Sequence, residues 1–336
     1  MQNAGYAAHA GVLMRRLWER LRLNRFVVLG RVGMDLYADP PGTLIEEAVR
    51  FTTALGGSAG NIAVALARQG AKVSLLSCVS DDAVGRYCLR QLHDFGVDCA
   101  HVRSITGEAR NSLAVTETRA EGCQVVLYRN GAADFALTDH QVLAVDFTAM
   151  AALIVTGTAL ATDPSRTAAL AAMQAARAAG VLVVLDIDYR AYSWASVAEA
   201  VTVCGRAAAA SDIVIGNDDE FGLLAQDRAK GQDYARRLAT TALFCVYKQG
   251  SAGSVTYTPD FHFHTGIFAV AAQKPMGAGD GFMGGLMAGL AQGHTLDAAV
   301  LRGSATAAII VAGIACAPAS PNATEVAQFM ERTACT

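Results

Sequence analysis

The chain has 336 residues, of which 53% are hydrophobic and 17% are charged, and its formal net charge is −3. This composition supports a large buried core and excludes a disordered chain. Because there is no basic surplus, we expect neither nucleic acid nor an anionic membrane surface as a partner. The eight cysteines include no C-x-x-C pair and no zinc-like spacing, which is typical of reduced thiols in a cytoplasmic protein.

The N-terminal segment, residues 1–25, is rich in Arg and lacks the apolar core of a signal peptide. We interpret it as an extension ahead of a single domain over residues 26–336, with a transit peptide as the alternative. The apolar stretch Phe147–Thr162 is short for a membrane span and contains Thr and Gly. It therefore predicts a buried strand with its flanks.

The first apolar run, Phe26–Leu29, ends in a glycine turn that leads to Asp35. This pattern predicts a strand that empties into a loop. The turn is not a G-x-G-x-x-G fingerprint, so a dinucleotide site is not predicted. Asp35 is expected just past the carboxyl end of the strand, where open α/β sheets bind ligands. A turn-forming aspartate is the alternative.

Small residues at Gly56–Gly60 precede a predicted helix that runs to Gln69. Such residues allow close approach of a ligand to the backbone. Further on, Asn111–Thr118 and Cys123–Arg129 alternate in polarity on either side of a short polar turn, which predicts a β-hairpin.

From Ala151 onward, apolar runs alternate with helical stretches, which predicts a parallel sheet covered on both faces. The runs are Leu153–Thr156, Val181–Asp186, Ile213–Ile215 and Leu243–Tyr247. Polar residues follow two of them, at Asp186–Arg190 and Asn217–Glu220. At a helix start, such polar residues are more often caps than ligands.

The stretch Lys274–Gly285 places three small residues before Asp280 and an apolar, glycine-spaced helical pattern after it. A helix beginning at Gly279 or Asp280 would direct free N–H groups and its positive dipole end at the turn. That arrangement is an anion site of the phosphate-binding kind. The alternative is an N-cap aspartate that closes a buried helix. A Walker A loop is excluded, since the chain has no Gly-Lys dipeptide.

Lys274–Met287 resembles the C-terminal signature of the PfkB, or ribokinase-like, carbohydrate kinase family, and Gly56–Ala63 resembles its N-terminal signature. The resemblance extends from Phe26 to about Pro321. It implies a ribokinase-like α/β fold with a mostly parallel central sheet, helices on both faces, and a small β-sheet lid. Lid strands are expected at about 36–55 and 110–130. Because lids of this kind often pair between subunits, we expect a homodimer.

The resemblance also implies a kinase that uses ATP and Mg²⁺, with dependence on a monovalent cation such as K⁺ left open. The implied base is Asp280, and the implied anion hole consists of the amides of Gly277, Ala278 and Gly279. The implied sugar contacts are Asp35, Gly57 and Asn61. The implied nucleotide-side residues are Asn217, Glu220 (which orients Mg²⁺ through water), Lys248, Gly250 and Gly253.

Tyr128-Arg129 resembles the branch of the family that phosphorylates keto-deoxy sugar acids, and Asp186–Arg190 resembles the D-x-N-x-R segment of sugar-acid and fructose kinases. Arg129 and Arg190 are therefore predicted to bind the substrate carboxylate, since the planar guanidinium matches it bidentately. Asp188 stands where the branch has asparagine, and its role is open. Which sugar acid is bound also stays open, with a neutral sugar such as fructose as a further alternative.

Two other classes of protein, and one possible metal site, are weighed against a kinase. A sugar-binding regulator without activity would share the fold, but the complete Gly-Ala-Gly-Asp set argues against it. A Rossmann oxidoreductase would need the missing glycine fingerprint. The His262-x-His264 pair could bind a metal, yet no third ligand follows a recognisable spacing.

Overall fold

The computed structural model describes residues 19–119 and 121–336. Its strands are β1 (Arg25–Leu29), β2 (Gly33–Asp39), β3 (Arg50–Gly56), β4 (Lys72–Ser80), β5 (Val102–Ile105), β6 (Ser112–Thr116), β7 (Val125–Tyr128), β8 (Ala152–Thr156), β9 (Leu182–Asp186), β10 (Ile213–Asn217), β11 (Phe244–Lys248), β12 (Ser254–Tyr257) and β13 (His262–Thr265). Its helices are α1 (Ser58–Arg68), α2 (Ala83–Asp94), α3 (Asp139–Leu143), α4 (Ser165–Ala178), α5 (Val197–Ala209), α6 (Asp218–Ala225), α7 (Gly231–Leu238), α8 (Ala278–Ala291), α9 (Leu296–Ala312) and α10 (Ala323–Arg332).

The main sheet has nine strands in the order β13-β12-β11-β10-β9-β8-β1-β4-β5. The strands from β11 to β5 are parallel to their neighbours, whereas β12 and β13 are antiparallel. The predicted mostly parallel sheet is confirmed, and each predicted apolar run forms one of its strands. The edge strand β5 was not predicted, because its sequence Val-Arg-Ser-Ile carries only two apolar residues.

Both faces of the main sheet are covered by helices, as the continuous apolar strands predicted. Val27 and Leu29 of β1 point into a core formed with α4, α5, α6 and α7. Phe26 and Val28 point to the other face, where α1, α2, α8 and α9 pack. Because successive side chains of a strand alternate, one five-residue strand contributes to two separate cores.

The small sheet has the order β3-β2-β6-β7 and forms the predicted lid. β2 pairs with β6 in parallel, and the two outer pairs are antiparallel. The chain enters this sheet directly from β1 through a short loop, so the lid and the carboxyl end of β1 are joined at residues 30–33. The lid also exposes the large apolar side chains of Phe51, Val125, Val126 and Tyr128.

The packed domain begins before residue 26, which was the predicted boundary. Leu21 is fully buried in the core of α1 and α2, and the guanidinium of Arg20 donates a hydrogen bond to the carbonyl of Thr148 at 3.0 Å. Residues 1–18, which make up most of the predicted extension, lie outside the described residues. In the described part of the chain, no helix is both long and apolar enough to cross a membrane.

Two helical glycines differ sharply in their surroundings. A Cβ at Gly284 of α8 would overlap the Cβ of Ala65 on α1, whereas the nearest atom to a Cβ at Gly205 of α5 is the Tyr234 hydroxyl, 3.9 Å away. Gly284 therefore permits the close contact by which α1 holds α8 in place, and Gly205 serves no such contact.

We expect Gly284→Ala and Gly205→Ala to move the thermal unfolding midpoint in opposite directions. Overpacking between α1 and α8 should cost about 1–3 kcal/mol. At Gly205, the gain in helix propensity should add roughly 0.5–1 kcal/mol. Differential scanning fluorimetry on both variants checks this. Equal unfolding midpoints for the two variants would show that α1 and α8 can move apart to accept the extra methyl group without loss of stability.

Candidate active site

A cavity of about 940 Å³ lies between the lid and the carboxyl ends of the parallel strands. Asp186, Asn217 and Lys248, which end or directly follow three neighbouring strands, line its floor, and Thr116 and Leu127 line it from the lid. Open α/β sheets bind ligands at this edge, so the fold itself places a binding site here.

The turn before α8 has the geometry on which the predicted anion site depends. Gly277 is the N-cap of α8 with a φ of +81°, and a Cβ there would lie 2.6 Å from the Cys316 sulfur. Gly281 is the first residue whose N–H finds an intrahelical acceptor, the Gly277 carbonyl at 2.9 Å. The N–H groups of residues 278–280 thus have no acceptor within the helix. The helix begins at Ala278, one residue earlier than the earliest predicted start.

Lys248 brings positive charge to this turn. Its Nζ lies 3.2 Å from the position that a Cβ at Gly279 would occupy. The loop that follows β11 is shaped by Gly250 and Gly253, with φ values of +58° and +81°. A Cβ at Gly253 would overlap the Thr265 carbonyl, so this tight loop beside the cavity requires glycine.

Asp280 lies in the first turn of α8 and lines the cavity. The Nδ2 of Asn61 donates a hydrogen bond to its Oδ2 at 2.8 Å. The Oδ1 of Asn61 is buried without a partner among the described residues. Asn61 therefore holds the carboxylate from α1 and has a free acceptor for a ligand hydroxyl.

Burial raises the pKa of Asp280 to about 6, and the charge of Asp188 adds to the rise. The Asn61 hydrogen bond and the charges of Arg190 and Lys248 oppose it. At neutral pH the carboxylate is ionised, yet it is more basic than an ordinary aspartate. This is the state that a general base needs.

Three more buried carboxylates surround Asp280. Burial raises the pKa of Asp186 to about 8 and also raises the pKa of Glu220. Burial acts on the pKa of Asp188 in the same sense, but the Arg190 guanidinium, a hydrogen bond from Ser58 and two further arginines together outweigh it, and the pKa is lowered. Arg190 bonds the Asp188 carboxylate at 2.9 Å and approaches that of Glu220 at 3.9 Å. The open role of Asp188 is thus at least to hold Arg190 at the cavity wall.

Glu220 caps the helix on which it sits. Its Oε2 accepts from the Asn217 N–H at 2.7 Å, and the Asn217 Oδ1 accepts from the Glu220 N–H at 2.9 Å. This capping box leaves Oε1 free of hydrogen bonds. Mg²⁺ keeps several waters and takes few carboxylates when it is bound with phosphates, so one glutamate acting through water fits it. Among residues 19–119 and 121–336, no three or more side chains cluster in a way that could bind a metal ion, and His262 and His264 belong to no such cluster.

The sequence predicts Asp35 in the turn just past β1. In the structure it lies inside β2 instead. Its Oδ2 accepts a hydrogen bond from the Tyr37 hydroxyl at 3.1 Å, and it lines the cavity. A Cβ at Gly56 would overlap the Asp35 carboxylate, and one at Gly57 would lie 2.5 Å from the Arg31 carbonyl. Gly56 therefore makes room for the Asp35 carboxylate, and Gly57 makes room for the loop between β1 and β2.

Arg129 is not among the residues that line the cavity. Its guanidinium forms an ion pair with Asp134, donates to the Thr158 carbonyl at 3.1 Å and stacks 4.0 Å from the Phe135 ring centre. The side chains of both ion-pair partners are almost fully buried. Its predicted contact with a substrate carboxylate stays a prediction, because the ion pair with Asp134 would first have to open.

Arg31 was missed by the sequence analysis. It lines the cavity from the loop between β1 and β2, and its Nη1 donates to the Ser112 hydroxyl at 3.0 Å. The available signal was a basic residue inside the glycine turn at the carboxyl end of the first strand, where ligands bind. Arg31 and Arg190 are thus the arginines that face the cavity in the described part of the chain.

The family model described as "pfkB family carbohydrate kinase" matches residues 23–323. The chain is 42% identical to 5-dehydro-2-deoxygluconokinase of Photobacterium profundum over 91% of its own length and 94% of that protein. It is 36% identical to 5-dehydro-2-deoxygluconokinase 1 of Bacillus cereus, with the same coverage. The chain belongs to the PfkB family of carbohydrate kinases, which makes it a phosphotransferase that acts on a sugar hydroxyl.

Solved structures show the same fold. A fructokinase from Vibrio cholerae O395 in a form bound to fructose, ADP and potassium superposes with a TM-score of 0.80 at 24% identity, over 91% of this chain and 98% of that one. A candidate ribokinase II from Escherichia coli in complex with ATP and Mg²⁺ gives a TM-score of 0.83 at 18% identity, over 92% and 99%.

The electrostatics of the cavity predict a pH effect at Asp188. Asp188→Asn removes a negative charge that raises the pKa of Asp280, so the base should ionise at lower pH. We expect the acid limb of the kcat/KM profile, near pH 6 in the wild type, to shift to lower pH.

The measurement is a pH profile of kcat/KM, which reports the free enzyme. Asp260→Asn, which removes the same charge from an exposed turn, is the control and should leave the acid limb unchanged. A limb that stays in place, or moves up, in Asp188→Asn would contradict the electrostatic coupling.

Proposed function

We propose that this chain transfers the γ-phosphoryl group of ATP to the 6-hydroxyl of 5-dehydro-2-deoxy-D-gluconate. The names of the relatives at 42% and 36% identity support this substrate. The observation that carries the mechanism is the position of Asp280. Its carboxylate lines the cavity at the start of α8, next to amides that have no acceptor within the helix.

In the proposed reaction, the sugar hydroxyl gives its proton to the Asp280 carboxylate. The hydroxyl oxygen forms a bond to the γ-phosphorus, and the bond from that phosphorus to the β–γ bridging oxygen breaks, which releases ADP. Phosphoryl transfer depends mainly on alignment and charge stabilisation. The amides at 277–279 and the positive end of α8 supply both, since they are fixed before the reaction begins.

The nucleotide is assigned to the part of the cavity that Lys248, Gly250 and Gly253 line. The fold neighbours bound to ADP, or to ATP with Mg²⁺, support both ligands. Mg²⁺, when bound, neutralises developing charge on the phosphates. Glu220 would hold it through water, and Asn217 keeps Glu220 in position through the reciprocal helix cap.

The acid group of the sugar is assigned to Arg31 and Arg190. Both guanidinium groups face the cavity, and Arg190 is fixed there by Asp188. A 2-keto-3-deoxygluconate kinase would use the same contacts and is the second candidate. Fructose, bound by one fold neighbour, has no carboxylate and would offer neither arginine an anionic group to bind.

The wider role extends the same proposal. Cytoplasmic inositol catabolism is the expected setting of the proposed substrate. A homodimer through the lid is supported by the exposed apolar side chains of Phe51, Val125, Val126 and Tyr128. Exposed apolar patches of this kind mark surfaces that bind another protein. A regulator without activity is disfavoured, because Asp280, Asn61 and the open amides are assembled as a kinase would require.

Asp280→Asn should reduce kcat by about 10²–10⁴-fold, because the amide cannot accept the hydroxyl proton. A coupled ADP-release assay with the sugar acid measures the loss. Asp297→Asn, which changes an exposed carboxylate in the first turn of the next helix, is the matched control and should keep wild-type turnover. Near-normal turnover in folded Asp280→Asn would remove the base assignment.

Arg31→Gln and Arg190→Gln should each raise the KM for the sugar acid by about 10–100-fold, the range expected when a charge-assisted hydrogen bond is lost. The KM for ATP should change little. Arg129→Gln should instead lower the unfolding midpoint, because it leaves the buried Asp134 unpaired. If only Arg129→Gln raises the KM for the acid, the carboxylate is bound there and our assignment is wrong.

A further inference from the structure

Lys274 lies just ahead of the turn before α8 and is fully buried, which is rare for a lysine side chain. Its exposed fraction is 0%, and it has no ion pair with a carboxylate among the described residues. Its Nζ donates instead to two backbone carbonyls, Met276 at 3.0 Å and Ile310 at 3.2 Å. A buried ammonium without a carboxylate carries a desolvation cost, so its position calls for a physical reason.

The two carbonyls belong to the two segments that frame the turn. Met276 immediately precedes Gly277, and Ile310 lies in the last turn of α9. Carbonyls at a helix C-terminus carry the negative end of the helix dipole, which stabilises a cation. The backbone N–H of Gln273 also donates to the Val311 carbonyl at 2.8 Å. The Lys274 ammonium thus links the segment that precedes α8 to the C-terminal end of α9.

The turn rests directly on the elements that the ammonium joins. A Cβ at Gly277 would lie 3.2 Å from Cγ2 of Ile310 and 2.6 Å from the sulfur of Cys316. Burial raises the pKa of Cys316 to about 11, and the charge of Lys274 opposes that rise. The position of the amides and the potential behind them therefore both depend on the group that occupies the space between these carbonyls.

Backbone carbonyls around a single positive charge are also the ligands that bind K⁺ in proteins. A lysine ammonium has three donors and the same charge, so it satisfies the same oxygens. One fold neighbour is a potassium-bound form. In this chain, the side chain itself delivers the charge to the carbonyls.

We propose that Lys274 is a tethered monovalent cation, which fixes the anion-binding turn and supplies positive charge behind it without an ion from solution. For the turnover readout, the proposal rests on the proposed kinase function. It predicts that neither turnover nor stability of the wild type depends on K⁺. It also predicts that removal of the side chain creates a requirement for a small cation.

The test compares wild type, Lys274→Ala and Lys274→Met in potassium, ammonium and tetramethylammonium chloride at equal ionic strength. The readouts are the thermal unfolding midpoint and ADP release. In tetramethylammonium, Lys274→Ala should lose about 10–100-fold in kcat/KM for ATP, as expected for a lost charge-assisted contact, and should unfold at lower temperature. Potassium or ammonium should restore part of both. Lys274→Met, which fills the space without a charge, should not respond.

Two results would overturn the proposal. One is activation or stabilisation of the wild type by potassium relative to tetramethylammonium, which remains measurable even if Lys274→Ala does not fold. The other is a Lys274→Ala protein with wild-type turnover and midpoint in tetramethylammonium. The midpoints need no turnover, so a protein that phosphorylates no sugar acid would refute the proposed function and leave this test intact.

Discussion

The structure depends on one arrangement, the start of an apolar helix inside the ligand cavity. Gly277 takes a left-handed conformation against Cys316, so α8 begins with its N–H groups without acceptors within the helix. Asp280 then lies in the first turn, next to the place where those amides would bind an anion. The packing of α1 against Gly284 fixes the helix from behind, and Asn61 on the same α1 fixes the carboxylate. The pair of helices α1 and α8 therefore fixes the positions of both the unpaired amides and the Asp280 carboxylate.

The cavity around this helix start contains a local concentration of positive side chains that the net charge of the chain does not reveal. The chain is slightly acidic, with a net charge of −3, yet the proposed reaction brings two anions, ATP and a sugar acid, into one cavity. Arg31, Arg190, Lys248 and Lys274 all line that cavity. The buried carboxylates Asp186, Asp188 and Glu220 lie beside these cations, and the charge of Asp188 raises the pKa of both Asp186 and Glu220. A binding site for anions is thus compatible with an acidic protein, because charge placement at short range outweighs the total.

The connection from β1 into the lid gives one loop a double role. The loop at residues 30–33 follows β1 of the main sheet and leads into β2 of the small sheet, so Arg31 in the loop and Asp35 in β2 both line the cavity where the two sheets are joined. Gly56 and Gly57 bring the return of the lid against the same loop. Any movement of the lid relative to the main sheet would therefore change the positions of these two side chains in the cavity.

The sequence by itself determined the features that depend on contiguous residues. The strand runs, the hairpin, the turn at Gly277–Asp280 and the capped start of α6 follow from local pattern, because backbone geometry and helix termini are set within a few residues. Only the tertiary structure decided which charged side chains meet. Asn61 and Asp280 are 219 positions apart, Arg129 also bonds the Thr158 carbonyl 29 positions away, and the Lys274 ammonium meets the Ile310 carbonyl on α9. Such contacts depend on how helices and strands pack across the chain, and no local periodicity records that distance.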